Sequence, residues 1–154
     1  MMTLQELMDG LARTLGCPGG IRPDDSGEVN LECDGLALSF RAISGGEELL
    51  MWSPLAERPA GDFSRWGEIL LKANFCGALT GGATLSLSED CTSVCLHRRL
   101  TLAGVSDRTF LPTFETFVET ALTWQQLLAD EDARPREDSL TALGFRQPGR
   151  PRAV

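Results

Sequence analysis

The stretch that decides the fold reads WGEILLKANF at residues 66–75 and TGGATLSLS at residues 80–88. The first part places apolar residues at helical spacing, and the second alternates apolar residues with threonine and serine, which is typical of a strand. A pair of glycines lies between them. The stretch therefore predicts a helix that ends near Phe75, a tight connection, and a strand that starts at Ala83.

The predicted helix, which runs from Phe63 to about Phe75 and can be capped by Asp62, has more apolar surface than one packing face requires. One apolar stripe follows the helical repeat: Phe63, Trp66, Leu70 and Ala73. Other apolar residues widen it beyond a single face: Ile69, Leu71 and Phe75. A helix that is apolar on more than one face must bury both. We expect one face to pack on a sheet and the other to contact a second partner.

Upstream of this helix the sequence predicts an amphipathic helix over Thr3–Leu15. Its apolar positions follow the helical repeat: Leu4, Leu7, Met8, Leu11 and Leu15. Thr3 and Glu6 have the spacing of a capping box, and Gly16 stands where a C-cap glycine belongs.

Three strand-like runs then form an antiparallel meander at Glu28–Cys33, Leu36–Ile43 and Glu48–Leu55. Asp34-Gly35 is a strong signal for a two-residue hairpin turn between the first two.

Downstream, alternation over residues 94–102 completes a second hairpin with the strand at 83–88. A long helix follows, capped by Ser106 or Asp107 and ending at about Ala129. The element order α-β-β-β-α-β-β-α predicts an α+β fold with a twisted antiparallel sheet flanked by helices. The predicted domain covers residues 1–129, and residues 130–154 are a Pro- and Arg-rich tail that we expect to be mobile.

The charge is uneven. The chain of 154 residues has 14 basic and 22 acidic residues, a net charge of −8. Residues 130–154 hold five acids and five arginines, so the whole excess lies on residues 1–129. Acidity of this size disfavours nucleic acid and anionic membranes as partners. An apolar content of 42% is too high for a disordered chain.

The cysteines and the N-terminus favour a cytoplasmic protein. Five cysteines form no CxxC pair, and no signal peptide or apolar run of about 20 residues is visible. Free thiols in a reducing compartment fit this composition best.

The sequence contains only weak signals for a catalytic site or a metal site. Cys95 and His97 share one face of a predicted strand, and with Cys91 they offer three potential zinc ligands whose spacing matches no usual zinc motif. The glycine loop before Ala83 follows a helix and leads into a strand, which is the reverse of a phosphate-binding loop. Paired acids lie at predicted turns or in the tail. The sequence therefore predicts no catalytic residue, no metal and no cofactor.

The middle of the chain resembles the Tir-chaperone family of type III secretion chaperones. The similarity rests on LL-x-A-N-F at residues 70–75, TGGA-x-L-x-L at 80–87, the strand VCLHRRL at 94–100, and the aromatic pattern of the last helix. It extends in pattern over residues 3–129. The tail from residue 130 has no place in the family pattern.

This resemblance implies a cytosolic homodimer without enzymatic activity. Such a chaperone binds the N-terminal segment of a secreted effector, holds it extended, and delivers it to the secretion ATPase. An edge of the meander and nearby apolar side chains would receive the effector. The predicted effector groove comprises nine residues: Leu4, Leu7, Met8, Leu11, Val29, Leu31, Leu36, Leu38 and Phe40. The predicted dimer interface comprises seven: Trp66, Ile69, Leu70, Leu71, Ala73, Leu85 and Leu87.

Two alternatives stay open. A module of the same fold can serve a partner that is not an effector, because fold does not fix function. A thiol enzyme or metal protein would use Cys91, Cys95 and His97.

Overall fold

The computed structural model describes residues 1–130. The elements occur in the order α1 (Leu4–Leu15), β1 (Glu28–Cys33), β2 (Leu36–Ile43), β3 (Glu48–Glu57), α2 (Ser64–Asn74), β4 (Thr84–Leu87), β5 (Ser93–Thr101) and α3 (Asp107–Ala129). The predicted α+β order is confirmed. The predicted tail covers residues 130–154, and all of it after Asp130 lies outside the described residues.

All five strands join one antiparallel sheet in the order β1-β2-β3-β5-β4. The meander and the second hairpin therefore meet where β3 pairs with β5. This junction leaves β1 and β4 as the two edge strands. Another chain can pair with the sheet only where the outward N–H and C=O groups of β1 or β4 are free.

Local signals explain where α1 begins and ends. The Thr3 hydroxyl accepts from the Glu6 N–H, and the Glu6 carboxylate accepts from the Thr3 N–H at 2.7 Å, which completes the predicted capping box. Gly16 is left-handed at φ 66° and donates its N–H to the carbonyl of Ala12, as a C-cap does.

The turn at Asp34-Gly35 has positive φ at both residues, as the predicted two-residue hairpin requires. Strand β3 runs two residues past its predicted end at Leu55. Its pairing with β5 shifts register between Pro54 and Ala56, and this irregularity lets the strand continue to Glu57.

Helix α2 begins one residue later than predicted. Asp62 does not act as the N-cap of a helix from Phe63; its carboxylate accepts from the N–H of Ser64 at 2.9 Å, and the helix starts at Ser64.

The core lies between one face of the sheet and the helices α1 and α3. Phe40 of β2 packs against Phe114 of α3, with ring centroids 6.2 Å apart. The buried side chains of β1, β2 and β3 alternate with more exposed ones, which gives the sheet an inner face and an outer face.

Candidate partner-binding surfaces

The outer edge of β1 carries unpaired backbone groups. Asp24 pairs with both outward groups of Glu28: its N–H donates to the Glu28 carbonyl at 2.8 Å, and its carboxylate accepts from the Glu28 N–H at 3.0 Å. Pair types alternate along an antiparallel strand, so the N–H and C=O groups of Asn30 and Glu32 also point outward. Within residues 1–130, no hydrogen bond involves these four groups. We call Asn30 to Glu32 the β1 window.

The β1 window lies in the most acidic part of the described chain. Residues 24–34 contain five acids and no base. Glu28 forms an ion pair with Arg41 of β2, whereas Glu32 and Asp34 have no cationic partner in the described part of the chain. An approaching chain therefore meets a negative potential.

Apolar side chains accompany the window on the inner face. Leu31 and Cys33 are half-buried and pack against the rim of the core, as does Cys17 of the loop after α1. Burial raises the pKa of the Cys33 thiol, with the negative charge of Asp34 as a second cause. The thiol is therefore protonated at neutral pH and acts as an apolar contact.

The edge of β4 is closed. The side-chain Nδ2 of Asn74 donates to the carbonyl of Leu85 at 2.9 Å, and its Oδ1 accepts from the Leu85 N–H at 2.8 Å. One carboxamide thus satisfies both outward backbone groups at the middle of this strand. The two edges of the sheet consequently differ: β1 is open over two residues of its window, and β4 is covered at Leu85.

Eight of the nine predicted groove residues are buried in the core of the protomer: Leu4, Leu7, Met8, Leu11, Val29, Leu36, Leu38 and Phe40. Only Leu31 is partly exposed, beside the β1 window. These eight side chains are used in the protomer's own core, and their contact with an effector stays a prediction. The backbone groups at the edge carried no residue-type signal in the sequence, because any residue of an edge strand presents them.

The seven predicted interface residues divide into two groups. Four pack inside the protomer: Ile69, Leu70, Ala73 and Leu85. Trp66 and Leu87 are half-buried, and Leu71 is 73% exposed. Phe75, which widens the apolar stripe in the sequence but is not in the predicted set, is 60% exposed. The largest exposed apolar side chains here are therefore Leu71 of α2 and Phe75, the residue that follows the helix.

The glycine loop has a structural role in this chain. The indole N–H of Trp124 donates to the carbonyl of Leu79 at 2.9 Å, and Arg98 donates to the carbonyl of Gly81 at 2.8 Å. These bonds tie the connection between α2 and β4 to α3 and to β5. A phosphate site would need free N–H groups, but those of Thr80, Gly82 and Ala83 donate to carbonyls within the loop, which fits a packing motif.

The thiol and histidine do not form a reactive pair. Cys95 and His97 lie on the outer face of β5, as predicted, but Nδ1 of His97 contacts the Ser86 hydroxyl at 3.2 Å. Burial raises the pKa of the Cys95 thiol, assisted by Asp90, and burial with the nearby Arg99 lowers the pKa of His97. A nucleophilic cysteine needs a lowered pKa and a cationic neighbour.

No group of three His, Cys, Asp or Glu side chains in the span 1–130 is placed to hold a metal ion. None of the helices in that span is both long enough and apolar enough to cross a bilayer.

Comparison with known proteins gives a family match. A model of the Tir chaperone protein (CesT) family matches residues 6–125, most of the chain. No curated protein matches the sequence significantly.

Several solved structures share the fold. A chain of the ExsC–ExsE complex has a TM-score of 0.69 at 19% identity, over 84% of this chain and 99% of that one. A chain of the HopA1–SchA chaperone–effector complex has a TM-score of 0.64 at 23% identity, over 78% and 91%. A structure of the Yersinia pestis type III secretion chaperone SycH with a stable fragment of YscM2 has a TM-score of 0.60 at 20% identity, over 77% and 97%.

Proposed function

The chain belongs to the Tir chaperone protein (CesT) family, and from this premise we propose that it is a chaperone for a type III secretion effector. It binds the N-terminal segment of the effector in the bacterial cytoplasm, keeps that segment extended, and delivers it to the secretion ATPase. It catalyses no reaction and needs no cofactor.

The observation that carries this proposal is the open edge at the β1 window. An extended peptide that joins a sheet edge gains main-chain hydrogen bonds, while pockets for alternate side chains select its sequence. The window offers two residues with both outward groups free, at Asn30 and Glu32. The rim of the core at Leu31 and Cys33 offers an apolar contact on one face of the added strand.

The charge around the window favours a basic segment. Five acids and no base between residues 24 and 34 raise the local concentration of cationic peptides and increase their association rate. A negative net charge also keeps a protein with exposed apolar surface soluble.

The proposal includes a homodimer. Leu71 and Phe75 leave apolar surface on α2 that a second copy of the chain can cover through a self-complementary contact. Two protomers then present two β1 windows to one effector chain. Support comes from the family match, and from similar structures that were solved as complexes of a chaperone with an effector or a protein fragment.

The test starts from the tagged chain isolated from its native host. We expect the bound protein to be a secreted one, held through its N-terminal segment. A partner that is not secreted, in a host without secretion genes nearby, would favour the binding module that serves another partner.

Substitutions at Glu32 then test the site with the N-terminal segment of that bound protein. Glu32→Pro removes one outward N–H from the window and leaves the ladder with β2 intact, because proline is tolerated on edge strands. Glu32→Gln removes only the charge. Calorimetry should show at least about tenfold weaker binding for Glu32→Pro, because the variant loses one hydrogen bond and the proline ring blocks the approach of the peptide. The loss of affinity for Glu32→Gln should be smaller. Equal affinity for Glu32→Pro and the wild type would contradict the proposed site.

A further inference from the structure

We infer that Asn74 is a strand mimic that closes the β4 edge, so that an extended partner can pair with the sheet only at β1. The closure itself is independent of the proposed function. Its consequence for partner binding rests on that function.

The geometry is that of a neighbouring strand. A peptide unit offers one donor and one acceptor, and the Asn74 carboxamide offers the same pair to Leu85, at 2.9 Å and 2.8 Å. Leu85 is in the middle of a strand of four residues, Thr84–Leu87. The two hydrogen bonds therefore occupy the backbone groups of Leu85 that a peptide would need in order to pair with this short strand.

Helix α2 fixes the carboxamide in place. Asn74 is the last residue of the helix, and the preceding turn is anchored in the core by Leu70 and Ala73, which are 6% and 0% exposed. Few residues could replace it. Aspartate has no donor for the Leu85 carbonyl, and the glutamine side chain is longer by one methylene, so it would displace the amide from the edge.

The consequence follows from the alternation of backbone groups along β4. Residues two apart point the same way, so Leu85 and Leu87 both direct their N–H and C=O groups outward. Without Asn74, β4 would present a window of two residues, as long as the one on β1. A sheet with two open edges would accept a second peptide or pair with another copy of itself.

The first experiment measures amide hydrogen exchange in the full chain without a partner. In Asn74→Ala, which removes the acceptor of the Leu85 N–H, we expect the Leu85 amide to exchange about tenfold faster than in the wild type, the worth of one hydrogen bond. Asn74→Asp keeps an acceptor oxygen for that N–H and loses only the donor to the Leu85 carbonyl, so its Leu85 amide should exchange more slowly than that of Asn74→Ala. The Leu96 amide, on the neighbouring strand β5, should not change. Lys72→Ala is the matched control, because it truncates another polar side chain in the last turn of α2, and that side chain is exposed. Unchanged exchange at Leu85 in Asn74→Ala would overturn the inference.

The second experiment counts bound peptides with a synthetic ten-residue peptide of alternating valine and arginine. Calorimetry should give one peptide per protomer for the wild type and for Lys72→Ala, and two for Asn74→Ala. One peptide per protomer for Asn74→Ala would overturn the inference.

The two experiments separate this inference from the proposed function. A wild-type protein whose β1 amides stay unprotected by the peptide would contradict the proposed docking at β1. The exchange of Leu85 would still decide whether Asn74 closes β4.

Discussion

At the residue scale, the connection between α2 and β4 shows why glycine stands at position 81. Gly81 has φ +56°, and a Cβ at this position would lie 2.8 Å from Cγ2 of Thr116 and 2.8 Å from Oγ1 of Thr120. Both the backbone conformation and the closeness of α3 therefore exclude a side chain. Glycine permits the loop to lie directly on the helix.

We predict that Gly81→Ala destabilises the chain by about 2–5 kcal/mol, the sum of a left-handed alanine and an overpacked contact. Gly16→Ala is the matched control: Gly16 has φ +66°, but nothing lies within 4 Å of its Cβ position. It should cost only about 1–2 kcal/mol. Urea unfolding measures both, and equal losses would show that the approach of α3 contributes nothing.

Substitution of Thr80, beside that glycine, should not destabilise the fold. Thr80 is fully buried, and its hydroxyl has no hydrogen-bond partner among the described residues. Thr80→Val keeps the shape and removes the unsatisfied group, so the free energy of unfolding should stay equal or rise by about 1 kcal/mol. Thr92→Val, which removes a hydroxyl bonded to Asp90 at 2.8 Å, should lower it. A large loss in Thr80→Val would mean that the hydroxyl has a partner.

At the element scale, helix α2 has two apolar faces with different roles. Ile69, Leu70 and Ala73 are buried within the protomer, whereas Leu71 and Phe75 face outward. Helical periodicity predicts both faces. It does not say which face contacts the sheet, because that depends on where β4 lies relative to the helix.

The exposed face gives a prediction about assembly. Leu71→Asp should convert a dimer of twice 16.7 kDa into a folded monomer of 16.7 kDa, measured by light scattering at micromolar concentration. Lys72→Asp changes the charge of the next residue, which is also exposed, and should leave the dimer intact. Ile69→Asp should instead unfold the chain, since Ile69 is only 8% exposed. A wild-type monomer, or a Leu71→Asp dimer, would contradict the proposed interface.

The turn between β4 and β5 makes stability depend on pH. The Asp90 carboxylate accepts from the hydroxyls of Ser88 at 2.6 Å and Thr92 at 2.8 Å, and from the Thr92 N–H at 3.1 Å. The Ser88 bond, then the Thr92 bonds, hold the pKa of Asp90 below its usual value of 3.8. A lowered pKa stabilises the fold above pH 3.8, and this contribution is lost as the pH falls through the folded-state pKa.

Asp90→Asn keeps an acceptor oxygen and removes the charge. We expect the wild type to be more stable than Asp90→Asn at pH 7 and the difference to shrink as the pH falls towards 3. Urea unfolding at a series of pH values measures this difference. A difference that does not change with pH would contradict the role of the ionised carboxylate.

The sequence predicts the helices and strands better than it predicts which sheet edge is open to a partner. Caps, turn residues and periodicity are local, so the strands Glu28–Cys33 and Leu36–Ile43 have their predicted bounds. The pairing of β3 with β5 joins residues far apart in the chain and leaves no local signal. That pairing makes β1 and β4 the edge strands of the sheet. The contact of Asn74 with Leu85 likewise depends on how α2 lies against β4.

At the scale of the whole molecule, acidity and topology act together. Residues 24–34, with five acids and no base, surround the one window of open sheet edge found within residues 1–130. The covered β4 edge leaves a partner one place on the sheet to pair. Because the acids near this window are largely exposed, the association of a basic segment should slow as ionic strength rises.

The central claim is that an extended partner pairs with β1. Its most direct test is amide hydrogen exchange at Asn30 and Glu32, with and without the N-terminal segment of the secreted protein that co-purifies with the chain. We predict that both amides become protected when the segment binds, while the amide of Leu85 keeps its exchange rate. A bound segment that leaves the amides of Asn30 and Glu32 exchanging as in the free protein would contradict this claim.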